Sequence, residues 1–126
     1  MRTILVFGHE DLDYDNGAVK LIGFLKENLK DCVVYKVSRP EQIMEYLGKD
    51  FVILDVAKGI DRPIFINNVD NIKYSKKVTA HDIDLASFMK ILESLGELKE
   101  IKIVAIPYDK DPHNFKEEVI KLIKNA

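Results

Sequence analysis

Three places in the chain carry side chains able to do chemistry at a strand-to-helix junction. The first is 8-GHEDLDYDNGA-18, where five of eleven residues are His, Glu or Asp. The second is Asp55, set inside the apolar run 51-FVILDVAKG-59. The third is His81, in 78-VTAHDIDLASFMKIL-92, at the start of an amphipathic stretch. Each also has an ordinary structural reading. An Asp or Asn just before a helix accepts an N–H of the first turn, worth about 1 kcal/mol. Asp55 can bond the amides of the turn that follows it, and His81 can flank a helix capped by Thr79 or Asp82. Against this, a carboxylate at the end of an apolar strand is costly to desolvate unless it is paired, hydrogen-bonded or metal-bound. Two carboxylates and one imidazole meeting at one point would form a mixed oxygen and nitrogen donor set. Such a set suits a borderline divalent cation such as Ni²⁺ or Zn²⁺ with coordination positions left open.

The elements that must bring these residues together follow from hydrophobic periodicity. Residues 3–7 (TILVF), 32–37 (CVVYKV), 51–56 (FVILDV) and 101–106 (IKIVAI) are short apolar runs of the kind found in strands covered on both faces. Residues 63–66 read as a short extra strand at a sheet edge. Helical spacing of apolar residues predicts helices over 17–29, 81–95 and 115–123, with Asp15 or Asn16 as N-cap of the first. Pro40 opens a further helix running to about Leu47, with Gly48 at its C-cap. Alternation of strand and helix predicts a three-layer α/β/α sandwich around a mostly parallel sheet of about five strands, formed as one domain over residues 1–126. Sites in such sheets form beyond the carboxyl ends of the strands, where all three candidate junctions fall.

Bulk properties exclude several classes. The 126 residues have a formal net charge of −2, 47% hydrophobic and 32% charged residues, the balance of a globular domain without a nucleic-acid footprint. Cys32 is the single cysteine, so an intramolecular disulfide and a Cys-based zinc site are both ruled out. The first residues form neither a signal peptide nor a membrane span, which points to the cytosol. The acidic loop lacks the glycines of a phosphate cradle, and its charge repels phosphate. Ser38, Ser75, Ser87 and Ser94 show no histidine partner, and Cys32 opens a strand at the edge opposite the carboxyl ends.

The order of these features resembles the hydrogenase maturation endopeptidases, which trim the C-terminus of the [NiFe]-hydrogenase large subunit. The resemblance covers nearly the whole chain and is carried best by 3-TILVFG-8, 15-DNGAVKLIGFL-25, 51-FVILDVAKG-59, 78-VTAHDIDLASFMKIL-92 and 101-IKIVAIP-107. It implies metal ligation by Asp15, Asp55 and His81, with Asn16 the rival at the first position if the match slides by one. It also implies that the metal is the nickel already inserted in the precursor large subunit, other divalent cations substituting, and that the enzyme acts as a monomer. The chain departs from the family pattern in three places. His9 stands where the family has Asn after the first glycine, offering a further nitrogen donor or base. Tyr14 replaces the first member of an acidic pair. The stretch 36-KVSRPEQ-42 has no glycine where the family is glycine-rich. The rival class is a non-catalytic flavodoxin-like or receiver-like binding module. Glu10, Asp11 and Asp55 loosely echo a receiver's acidic residues, but a receiver has no use for His81.

Overall fold

The computed structural model describes residues 2–8, 17–57, 60–67, 102–108 and 110–126. Five strands form one sheet: β1 (Arg2–Phe7), β2 (Cys32–Val37), β3 (Phe51–Ala57), β4 (Ile64–Ile66) and β5 (Ile103–Pro107). Their order across the sheet is β2-β1-β3-β5-β4. The first four run parallel and β4 lies antiparallel at the edge, pairing Ile64 with Ala105 and Ile66 with Ile103. The fold is therefore mixed α/β with a mostly parallel sheet, as expected, and residues 63–66 supply the edge strand.

The period of two along each strand divides the core between two faces. Ile4, Val6, Val52, Leu54, Val56, Val104 and Ile106 point to one face. There they meet Leu21, Leu25 and Leu29, then Val119 and Ile123 from the C-terminal helix. Leu5, Phe7, Phe51, Ile53, Ile103 and Ala105 point to the other face and pack with Val37 and Ile43. Full burial of each large side chain stabilises the fold by about 1.5–3 kcal/mol.

The helical elements differ in detail from the expectations. The stretch expected as a helix over 17–29 begins as a 3-10 turn, Val19–Leu21, and becomes α1 only over Ile22–Asn28. Ala18 occupies its N-cap, and Asp15 and Asn16, the expected caps, lie outside the described residues. Burying Ala18 and Leu21 on the sheet sets where this turn begins. The helix expected from Pro40 is a 3-10 helix, Pro40–Tyr46. Its start is held by Gln42, whose Oε1 accepts the N–H groups of Ser38 at 2.8 Å and Arg39 at 2.9 Å. Gly48 follows it at φ +83°, the left-handed conformation that favours glycine. The last helix, α2 (Lys116–Asn125), is preceded by a 3-10 turn, Pro112–Phe115, capped by Asp111, whose Oδ1 accepts the His113 N–H at 3.0 Å. The helix expected over 81–95 lies outside the described residues.

A polar clasp closes the amino end of the sheet. The Arg2 guanidinium donates to the main-chain oxygens of Ile123 (2.6 Å) and Ala126 (2.8 Å) and to Asp50 Oδ2 (3.1 Å). Lys102 Nζ lies 3.4 Å from Asp50 Oδ1. A cation at a helix C-terminus complements the unpaired carbonyls there.

Candidate active site

The strand order places a topological switch between β1 and β3. The chain leaves β1 towards β2 on one side, and leaves β3 for β4 and then β5 on the other. Ligands of open α/β sheets settle in the crevice that this reversal leaves beyond the carboxyl ends. Pairing shows where the crevice opens. The β1–β3 register runs from Thr3↔Phe51 to Val6↔Leu54. The flanking pairs run further, to Phe7↔Val37 on one side and Ala57↔Pro107 on the other.

Asp55 is the first β3 residue beyond the end of that shared register. It is 3% exposed and is the one buried polar or charged residue among those described. Its register partner on β5 is Ala105, and the strand's alternation puts it on the face of Phe51 and Ile53. Oδ1 accepts the N–H of Val56 at 2.8 Å. That amide belongs to the next residue of β3, inside the strand rather than in the turn that follows it. A carboxyl group at this depth at a switch point has the position of a ligand or catalytic group.

Two further segments border the rim. Gly17, where the chain returns from the acidic loop, packs on β3 and β5 so closely that a Cβ there would lie 3.0 Å from Val56 Cγ1 and 3.8 Å from Ile106 Cδ1. The 3-10 turns Val19–Leu21 and Pro112–Phe115 lie against one another. The close approach at Gly17 is not apparent from the sequence, where this glycine reads only as the start of a helix. Its one legible signal is a glycine at the end of the acidic stretch that follows the first strand.

Asp15, Asn16, His9 and His81 lie outside the described residues. Among the described residues, no three His, Cys, Asp or Glu side chains come together. Cys32 begins β2 and therefore sits at the amino end of the sheet, away from Asp55. Burial, followed by the charge of Asp31 and a 3.8 Å contact with its Oδ1, raises the thiol above its ordinary pKa. A thiol so raised is a poor nucleophile.

No family model and no curated protein matches the sequence. Solved structures do match the fold. The hydrogenase maturating endopeptidase HybD from E. coli superposes with a TM-score of 0.67 at 12% identity, over 98% of this chain and 90% of that one. The chain has the fold of the hydrogenase maturation endopeptidases. A hydrogenase 3 maturation protease gives a TM-score of 0.66 at 17% identity, over 99% of this chain and 87% of that one. A hydrogenase 2 maturation peptidase from Thaumarchaeota archaeon SCGC_AB-539-E09 gives 0.62 at 14%, over 100% and 97%. The likeness seen in short sequence segments is thus met by an end-to-end likeness to maturation endopeptidases in backbone architecture. None of the described helices is long and apolar enough to cross a membrane.

Proposed function

We propose that this protein is a maturation endopeptidase that removes the C-terminal extension of a [NiFe]-hydrogenase large-subunit precursor after nickel insertion. The observation that carries this reading is Asp55, a carboxylate 3% exposed at the switch point of a sheet whose fold is shared with hydrogenase maturation endopeptidases.

In this reading Asp15, Asp55 and His81 are the donors that reach the precursor's nickel. Two carboxylates and an imidazole fit a borderline divalent cation. Asp55 is already held by a backbone N–H on one oxygen, the arrangement that orients a ligating carboxylate. When present, the metal supplies Lewis acidity beside the scissile peptide bond. The rest of the work belongs to the chain. The buried walls of the crevice exclude water around Asp55, and the rim orients the precursor's C-terminal segment. His9 or a loop carboxylate moves the proton that amide hydrolysis requires. The metal arrives with the precursor, so the free protein binds divalent cations weakly, and the active form is a cytosolic monomer.

The topology weighs against the flavodoxin-like or receiver-like alternative. A flavodoxin-like sheet has the order 2-1-3-4-5. Here the fourth described strand lies at the edge and runs antiparallel.

The test is processing of a nickel-loaded precursor, followed by the mobility shift of the large subunit. His81→Ala and Asp15→Ala should each abolish cleavage while the circular dichroism and Tm stay those of the parent chain. Full cleavage by a folded His81→Ala variant would remove that imidazole from the mechanism.

A further inference from the structure

We propose that Gly17 is a positioning residue for Asp55, acting through Val56. Three observations join these residues. A Cβ on Gly17 would lie 3.0 Å from Val56 Cγ1, tighter than side chains tolerate without a shift. Val56 has little room to give. It is 1% exposed, packed among Ala18, Leu21, Leu54 and Ile106, and β-branched, so its χ1 is stiff. The N–H of that same Val56 holds Asp55 Oδ1 at 2.8 Å.

The paired register of β1 with β3 ends one residue before Asp55. From there the end of β3 is held by β5 on one side and by the packing of the Gly17–Ala18 turn on its face. A side chain at position 17 therefore displaces Val56, and displacing Val56 moves the N–H that orients the carboxylate. Gly17 also stands two residues after Asp15 in the chain. The same contact ties the exit of the acidic loop to the strand that carries Asp55. Gly23 provides an internal comparison, because a Cβ there meets nothing within 4 Å.

Amide hydrogen exchange on the full chain tests the proposal. Gly17→Ala should speed exchange at amide 56 by about tenfold or more relative to amide 54 on the same strand, a local rather than a global opening. Gly23→Ala should leave that ratio unchanged. Adding Val56→Ala to Gly17→Ala removes the methyl groups in conflict and should restore protection at amide 56. An unchanged ratio in Gly17→Ala, or a double variant no better protected than the single one, would overturn the proposal. If Gly17→Ala does not fold, recovery of folding in the double variant supports it and failure to recover overturns it. The consequence for catalysis rests on the function proposed above. Gly17→Ala should lower kcat for precursor cleavage more than it raises KM, with rescue by Val56→Ala. A parent chain that cuts no precursor while amide 56 responds as expected would sink the proposed function and leave the positioning role standing.

Discussion

At the scale of single residues, Asp55 separates charge from packing. Replacing it by Asn keeps the size and one acceptor for the Val56 N–H, and removes only the negative charge. On the function proposed above, Asp55→Asn should therefore stay folded while cleavage of a nickel-loaded precursor drops sharply. Outer partners of metal ligands cost roughly 10–100-fold when lost, and a direct ligand should cost at least that. A folded Asp55→Asn variant with parental kcat/KM would show that the charge is not needed. Asp50 gives a separate pH prediction. Burial pushes its carboxyl up, but the hydrogen bond and charge of Arg2, with Lys102 behind them, outweigh this and hold it below the ordinary carboxylate value. Its stabilisation is therefore present above the unfolded pKa, about 3.9, and is lost as pH falls through the lowered native value. Asp50→Asn should flatten the acid limb of a Tm-against-pH curve below about pH 4, leaving its shape at neutral pH unchanged. Arg2→Ala also frees two carbonyls at the end of α2. It should cost about 1–3 kcal/mol in chemical denaturation, a loss that persists at neutral pH.

At the scale of elements, short helices are set by their ends. The stretch after β2 carries the expected proline and glycine signals, and both fall where expected: Pro40 opens the helix and Gly48 follows it. The interior departs from the α-helical expectation, forming a 3-10 helix over Pro40–Tyr46. One large side chain, Ile43, is fully buried on the sheet, while Met44 stays exposed. A 3-10 helix covers the same sequence with a longer rise per residue and places Ile43, with Tyr46 and Leu47 packed partly buried against the same cluster. Gly48 has open space around the site of a Cβ, so a substitution there meets only the backbone cost of φ +83°. Gly48→Ala should destabilise by about 1–2 kcal/mol, read from urea denaturation. Gly48→Asn should recover part of this, since Asn visits that conformation more readily.

At the scale of the whole molecule, stability is concentrated where β1 and β3 lie side by side. Ile4, Leu5, Val6, Val52, Ile53 and Leu54 are all fully buried at the centre of the sheet. Amides 4–6 and 52–54 should be the slowest to exchange, and those of the three-residue edge strand β4 far faster. Slower exchange in β4 than in β1 would contradict this ordering.

Much of this architecture is legible in the sequence. Continuous apolar runs such as TILVF and FVILDV can be satisfied only with both faces covered, so they announce central parallel strands. The β2 bounds at Cys32 and Val37 agree with the reading, as does the short edge strand after Pro63. The 3-10 opening of the stretch over 17–29 did not follow from local signals; it accompanies the burial of Ala18 and Leu21 on the sheet. Asp55 could be singled out by sequence, since a lone carboxylate in an apolar run is conspicuous. Its depth, the end of the β1–β3 register just before it and the fit of Gly17 against Val56 depend on which strands become neighbours. Residue types and their spacing determine which segments become buried strands and which side chains have the chemistry. Proximity between residues as distant in the chain as Gly17 and Val56 was decided only by the tertiary structure, because strand order arises from packing the whole sheet and is written in no single stretch of residues.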